Sequence, residues 1–152
     1  DHPLLICGHS LGGALAEISA AKLHKKHPRL SLCTFGKPNT FFKGFKRPME
    51  LIRQVSCVSG SDIVARIPRF CYGPSVSQTT LYFANDGKDH VDPPAELKRD
   101  DFMSAKKEAL SDHFMEGYQR RLTVYLTPRA PVTNLKSKKQ KKRGKKNFNG
   151  NF

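Results

Sequence analysis

The most constraining feature of the sequence is a serine with glycines two residues before and two residues after it, in Gly8-His9-Ser10-Leu11-Gly12. The continuous apolar run at residues 4–7 precedes this segment and predicts a buried strand. Residues 11–27 follow it with apolar side chains at helical spacing, and they predict a helix. A strand, a tight turn and a helix in this order hold a serine on a strained turn, and the glycines remove side chains that would crowd it. The pattern therefore predicts that Ser10 is a nucleophile at the carboxyl end of a strand.

The same turn prepares a site for negative charge. A helix that begins directly after Ser10 points its first N–H groups, which have no acceptor within the helix, toward the serine hydroxyl. A carbonyl attacked by the serine gains negative charge on its oxygen, and N–H donors fixed close to that oxygen stabilise it. The sequence predicts the backbone N–H of Leu11 as this oxyanion donor.

Further along the chain, apolar and β-branched runs alternate with helical patterns. Strands are predicted at residues 30–35, 52–58 and 79–84, a late helix at residues 104–122, and a surface loop at residues 86–101. Strands that alternate with helices indicate an α/β fold, with a mostly parallel sheet and helices on both faces.

A catalytic serine needs a histidine as its base and a carboxylate that orients the histidine. In enzymes with a serine on this type of turn, the acid follows the serine along the chain and the histidine follows the acid. Asp62 is the preferred acid because it comes directly after a predicted buried strand and a short polar turn. Asp86 and Asp89 follow the next strand and remain alternatives.

Two histidines lie downstream of Asp62, His90 and His113. We prefer His113 as the base, because a late helix with apolar neighbours holds an imidazole firmly. His90 stands in the predicted polar loop and remains the alternative. His9 is next to the nucleophile in sequence, and we expect its side chain to point away from Ser10.

The four cysteines are widely spaced and form no C-x-x-C pair. Those in apolar strand-like runs are expected to be small buried side chains rather than disulfide partners. The sequence predicts neither a metal site nor a cofactor. The four cysteines are Cys7, Cys33, Cys57 and Cys71.

Positive charge is concentrated at the end of the chain. The 27 Lys and Arg residues exceed the 13 Asp and Glu residues, for a formal net charge of +14, and nine of the basic residues follow position 128. Residues 128–152 are expected to be a disordered tail, because so few apolar side chains cannot offset the entropy of ordering. Such a tail attracts an anionic membrane surface or a nuclear import receptor, or it keeps the chain soluble without a specific partner. Nucleic acid is disfavoured as a partner because no stacking surface accompanies the charge. No apolar run approaches the roughly 20 residues of a transmembrane helix.

Four segments together resemble the class 3 lipase family of α/β-hydrolases, which includes fungal triacylglycerol lipases and diacylglycerol lipases. The resemblance covers roughly residues 4–126, and within it Ala65 stands where the family often has proline. It implies an α/β-hydrolase fold with Ser10 as nucleophile, Asp62 as acid and His113 as base. The segments are Gly8-His9-Ser10-Leu11-Gly12-Gly13-Ala14-Leu15-Ala16, Thr34-Phe35-Gly36-Lys37-Pro38, Ser61-Asp62-Ile63-Val64-Ala65-Arg66-Ile67-Pro68, and Asp112-His113 with Tyr118.

The resemblance also implies what lies outside these residues. The first half of the family's fold supplies several strands, a flap over the site and a second oxyanion donor, so residues 1–127 are expected to be the C-terminal portion of a lipase domain. The expected function is a serine ester hydrolase that cleaves acylglycerols, or another lipid ester, through an acyl-enzyme. The alternative is a catalytically incompetent lipase fragment that binds membrane or protein through its basic tail.

Overall fold

A computed structural model of the chain describes residues 2–40, 46–68, 79–104 and 110–127. The Lys-rich tail and Cys71 therefore lie outside the described residues. The five strands are β1 (Leu4–His9), β2 (Leu30–Phe35), β3 (Arg53–Ser59), β4 (Thr79–Phe83) and β5 (Asp89–Val91). The four α-helices are α1 (Leu11–Leu23), α2 (Lys46–Glu50), α3 (Ala95–Ser104) and α4 (Met115–Leu126), with 3₁₀ turns at Val64–Arg66 and Ser111–His113.

The strands form one sheet in the order β1-β2-β3-β4-β5. The first four are parallel, and β5 pairs with β4 in the antiparallel direction. The carboxyl ends of β1, β2, β3 and β4 therefore meet at one edge, where polar residues that follow each strand come together.

Helices pack on both faces of the sheet, although Leu5 and Cys7 of β1 remain exposed. Leu30 and Leu32 face α1, where they form one core with small helix residues such as Ala20. Cys57 and Leu81 point to the opposite face, where they pack with Tyr118 of α4. The expected mostly parallel α/β sheet with helices on both faces is confirmed.

The region expected to be a loop, residues 86–101, is instead largely regular. Asp89–Val91 forms β5 and Ala95–Ser104 forms α3. Pro93 and Pro94 precede α3 directly, and proline is favoured at the start of a helix, where its missing N–H costs nothing. Glu96 in the first turn of α3 adds a favourable interaction with the helix dipole.

Two helices differ in extent from the expectation. The helix α1 ends at Leu23 rather than at residue 27, and it is followed by a turn in which the N–H groups of Lys26 and His27 both donate to the carbonyl of Leu23. The late helix α4 begins at Met115, after an extended Phe114 (φ −67°, ψ 142°) that separates it from the 3₁₀ turn Ser111–His113. His113 therefore lies on a short turn before the helix and not within it.

The cysteines also differ from one another in burial. Cys57 is buried and Cys33 is half-buried, whereas Cys7 is exposed, and all three are free thiols. The expectation that Cys7 is buried was wrong, because Cys7 lies with Leu5 on the exposed face of β1. Among the described helices, none is long and apolar enough to cross a membrane.

Candidate active site

Ser10 occupies the tight turn between β1 and α1, with φ 55° and ψ −130°. This conformation is rare for a residue with a side chain and costs on the order of 1–3 kcal/mol. A Cβ at Gly8 would lie 2.2 Å from the carbonyl oxygen of Gly12, so only glycine fits before the serine. The backbone N–H of Ser10 donates to the carbonyl of Phe35 at 3.0 Å, which ties the turn to the end of β2.

The second glycine of the motif differs from the expectation. A Cβ at Gly12 would meet nothing within 4 Å, so the crowding argument does not apply there. The close approach is one residue later, where a Cβ at Gly13 would lie 2.7 Å from Cβ of Lys37. The helix α1 thus packs tightly against the segment after β2 through Gly13.

The three residues proposed from the sequence as a triad are adjacent in space. His113 Nε2 lies 2.7 Å from Ser10 Oγ, and His113 Nδ1 lies 3.0 Å from each carboxylate oxygen of Asp62. Asp62 is fully buried and His113 is 9% exposed. With the proton on Nδ1, the ring donates to Asp62 and its Nε2 accepts the hydroxyl proton of Ser10, which is the tautomer that a general base requires.

The carboxylate of Asp62 is held by donors other than the histidine. Its Oδ1 accepts the backbone N–H groups of Val64 at 2.8 Å and Ala65 at 3.3 Å. Its Oδ2 accepts the hydroxyl of Tyr118 at 2.6 Å, and that hydroxyl in turn accepts the N–H of Ser59 at 3.0 Å. These donors keep the charged carboxylate satisfied in a buried position and fix its orientation toward His113.

The role of Tyr118 could not be assigned from sequence. Burial raises the pKa of its phenol, and the neighbouring charge of Asp62 raises it further, so the phenol remains a donor. Gly36, at φ 52°, leaves the space that both groups occupy, since a Cβ there would lie 2.4 Å from Oδ2 of Asp62 and 2.9 Å from the Tyr118 oxygen. The resemblance included Tyr118 as a matching residue, but only the packing of α4 against β2 and β3 shows which atom it contacts.

His9 supports the base rather than the nucleophile. Its Nε2 donates to the backbone carbonyl of His113 at 2.7 Å, and the two imidazole rings stack with centroids 4.8 Å apart. The turn that carries His113 is held a second time by Asp112, whose Oδ2 accepts the N–H of Ser61 at 3.1 Å. The base is therefore attached both to the end of β1 and to the turn of the acid.

The residues considered as an alternative acid or base do not lie beside Ser10. His90 is on β5 opposite Tyr82, four strand positions from β1, which corresponds to roughly 19 Å at the usual strand spacing. Asp86 is exposed and pairs with Lys88 at 3.0 Å, and Asp89 begins β5. The structure brings none of these to Ser10.

The oxyanion donor expected from sequence lies at the start of α1. Leu11 is the first residue of that helix, so its N–H has no acceptor within the helix and is available beside the Ser10 hydroxyl. No group of three or more His, Cys, Asp and Glu side chains within the described residues has an arrangement that could hold a metal ion.

Part of the chain is similar to known lipases. Residues 1–71 match the family model "Lipase (class 3)". The chain is 36% identical over 72 residues to the secreted mono- and diacylglycerol lipase 1 of Fusarium solani, a match that covers 45% of this chain and 21% of that protein.

Similar solved structures are lipases. A lipase from Rhizopus microsporus var. chinensis aligns with a TM-score of 0.60 at 21% identity, over 74% of this chain and 42% of its own. A triacylglycerol lipase whose catalytic centre is described as a serine protease triad aligns with a TM-score of 0.58 at 21% identity, over 74% and 46% of the two chains. The chain thus spans less than half the length of these relatives. Residues 1–71 are thus similar in sequence to the class 3 lipases, and the described residues have the α/β-hydrolase fold of the fungal lipases.

Proposed function

We propose that Ser10, His113 and Asp62 form the catalytic triad of a serine ester hydrolase that acts on acylglycerols. The observation that carries the proposal is the imidazole of His113, which lies within hydrogen-bond distance of both the Ser10 hydroxyl and the Asp62 carboxylate. Lipase relatives and the α/β-hydrolase fold support a lipase function of this general kind.

The proposed mechanism follows from the positions of the protons. Ser10 Oγ attacks the ester carbonyl as its proton moves to Nε2 of His113, and the Leu11 N–H stabilises the negative oxygen that forms. The imidazolium, stabilised by Asp62, then gives its proton to the departing alcohol and an acyl-enzyme remains. Water, deprotonated by His113, attacks the acyl carbonyl and releases the fatty acid, which restores the serine.

The surroundings of the triad favour an apolar acyl group. The residue that directly follows each triad member is a large hydrophobic side chain exposed to solvent, namely Leu11 after Ser10, Ile63 after Asp62 and Phe114 after His113. Isolated exposed hydrophobic residues are ordinary, but several around one reactive centre are typical of a surface that meets lipid. This arrangement supports an acyl ester substrate over a small polar ester.

A fluorophosphonate probe tests the nucleophile, since it forms a covalent bond only with an activated serine. We expect labelling of a peptide that contains Ser10, none in Ser10→Ala, and labelling slowed by about 10³-fold or more in His113→Ala. His90→Ala is the matched control, because it removes the other candidate base and should leave the rate unchanged. Equal labelling of His113→Ala and the unchanged protein would contradict the assignment.

Substrate class requires a separate measurement. Hydrolysis of a monoacylglycerol, a diacylglycerol, a phospholipid and an acyl thioester should be compared in the unchanged protein and in Asp62→Asn. An acylglycerol lipase should hydrolyse the glycerides fastest and lose about 10⁴-fold in rate on the Asp62 substitution, because the histidine then adopts the wrong tautomer. Faster phospholipid or thioester cleavage, lost in the same variant, would keep the triad and reject the glyceride substrate.

The basic tail supports a second role, binding to an anionic membrane. Each Lys or Arg near an anionic surface contributes about 1 kcal/mol, and nine such residues follow position 128. Sedimentation with phosphatidylserine vesicles should be lost on removal of residues 129–152, while fluorophosphonate labelling stays the same. Retained sedimentation without the tail would assign membrane binding to another surface.

A further inference from the structure

A cavity of about 160 Å³ lies on the α1 face of the sheet and is lined mostly by cations and hydroxyl groups. Neither Ser10, Asp62 nor His113 lines it. The cationic and hydroxyl-bearing residues among those that line it are Lys37, Arg66, Lys98, Ser56, Thr80 and Tyr82.

Arg66 and Lys98 form no direct ion pair in the described residues, and the nearby carboxylate of Asp101 is linked to Arg66 only through the Tyr82 hydroxyl, which donates to Asp101 at 3.1 Å and lies 3.3 Å from Arg66 Nη2. Neither Arg66 nor Lys98 has a carboxylate within ion-pair distance among the described residues. The guanidinium of Arg66 lies over the ring of Phe102, 4.8 Å from its centroid, and donates to the carbonyl of Gly60. Its Nε is a buried donor without a hydrogen-bond partner in the described part of the chain. A buried N–H without an acceptor is costly, so this site favours a bound anion.

Among the hydroxyl groups in the cavity, that of Thr80 is a suitable additional donor, whereas the single proton of the Tyr82 hydroxyl is already donated within the protein. Burial raises the pKa of Tyr82 to about 12, so its phenol stays protonated, and it donates to Asp101 at 3.1 Å or to Gly60 at 3.3 Å. The side-chain hydroxyl of Thr80 has no hydrogen bond to any described residue. Lys37 is already paired with Glu17 at 2.8 Å and contributes less free charge.

A second cavity, of about 370 Å³, shares Arg66 and Lys98 as lining residues and is otherwise largely apolar. Ile63, Ile67 and Phe102 line it between the 3₁₀ turn Val64–Arg66 and α3. Its volume falls in the range of pockets that bind small molecules. Two cations at the boundary between a polar cavity and an apolar one match a ligand with an anionic head and a hydrocarbon chain.

We propose that the two cavities form one site for an anionic lipid, with its oxyanion head between Arg66 and Lys98 and its acyl chain against Ile63, Ile67 and Phe102. A carboxylate and a phosphate monoester present the same chemistry to these donors, so a fatty acid and a lysophosphatidate are the two sources to distinguish. The site uses none of the triad residues, although it shares Ile63 with the apolar surface beside Asp62.

The test measures binding of cis-parinaric acid, a fatty acid whose fluorescence rises in apolar surroundings, to the full chain. Arg66→Gln with Lys98→Gln should weaken binding by at least about 10-fold, because charge-assisted hydrogen bonds to the head are lost. Lys25→Gln with Lys26→Gln removes the same charge at exposed positions and should change affinity by less than about 2-fold. Ser10→Ala should bind as the unchanged protein does, whether or not the chain is a hydrolase.

Competing ligands show whether the protein recognises the charged head group or only the hydrocarbon chain. Oleate or oleoyl lysophosphatidate should displace the probe, and the stronger of the two identifies the head group, whereas the uncharged methyl oleate should displace it poorly. Equal displacement by methyl oleate, or equal loss of affinity in the two double variants, would overturn the proposal. Should the Arg66 change disturb folding, as judged by circular dichroism, Lys98→Gln against Lys25→Gln gives the same comparison, because the Lys98 side chain has no hydrogen-bond partner among the described residues.

Discussion

The buried ion pair between Glu17 and Lys37 gives a quantitative test of how the nucleophile's helix is attached to the sheet. Glu17 is fully buried on α1 and Lys37 is 4% exposed in the segment after β2, with Oε2 and Nζ 2.8 Å apart. The Thr40 hydroxyl also donates to Oε2, whereas Oε1 is buried without a partner among the described residues. Burial raises the pKa of Glu17 and lowers that of Lys37, so both groups lose hydration that the pair only partly restores.

The expected magnitudes follow from that imbalance. Replacement of one partner, by Glu17→Gln or Lys37→Met, removes the ion pair from the remaining buried charge and should cost about 3–5 kcal/mol of unfolding free energy. Replacement of both, by Glu17→Leu with Lys37→Met, removes the desolvation cost together with the attraction, and should be neutral or stabilising by about 1–4 kcal/mol. The double variant should therefore be markedly more stable than either single variant.

Urea unfolding followed by far-ultraviolet circular dichroism measures these differences, since the chain has no Trp for fluorescence. Lys88→Met serves as the control, because it breaks an exposed ion pair with Asp86 and should cost less than about 1 kcal/mol. Single variants that each cost under 1 kcal/mol, with additive effects in the double variant, would refute the reasoning.

The pH dependence of Glu17→Gln has a definite sign. Lys37 then lacks its anionic partner, and burial alone holds its pKa below the ordinary 10.5. Between that lowered pKa and 10.5, the unfolded chain keeps a proton that the folded chain has released, so stability increases as pH rises through the interval. The unchanged protein should show a weaker increase, because the charge of Glu17 raises the Lys37 pKa. A variant whose stability falls over this interval would contradict the assignment.

Two further changes test the support of the triad. Tyr118→Phe removes the 2.6 Å hydrogen bond to Asp62 and leaves the Ser59 N–H without its acceptor. It should therefore lower the unfolding free energy by about 3 kcal/mol and slow fluorophosphonate labelling. A loss of less than about 0.5 kcal/mol, the size expected for a surface substitution, would contradict this. Gly8→Ala should abolish labelling and strongly reduce soluble folded protein, because its Cβ would lie 2.2 Å from a backbone carbonyl oxygen, whereas Gly12→Ala, with open space at that position, should fold normally. Equal yields of the two alanine variants, measured by circular dichroism of purified protein, would show that the turn adapts.

Much of the fold was predictable because its signals are local. The apolar run of β1, the glycines of the turn and the helical spacing of α1 are adjacent in sequence, so a strand, a turn and a helix could be inferred directly. The same local signals gave a wrong prediction at residues 86–101, which were expected to form a loop, because β5 forms only by pairing with β4. Strand pairing depends on a partner that a local pattern does not contain.

The candidate site was also predictable only in part. Chain order and strand ends indicated Ser10 and Asp62 and restricted the base to two histidines, which the sequence could rank but not separate. The structure brings His113 to Ser10 and leaves His90 on the far edge of the sheet, because the position of each depends on which strands and helices pack together. The hydrogen bond from Tyr118 to Asp62 joins residues 56 positions apart.

Sequence alone thus determined the turn that carries Ser10, the chain order of the proposed triad residues and the class of fold, since each depends on short-range pattern and composition. Only the tertiary structure decided which imidazole faces the serine, which donors hold the buried carboxylate, and that Glu17 and Lys37 pair inside the protein. The physical reason is that these contacts depend on distances between segments remote in the chain, which are set by how the sheet and its helices pack.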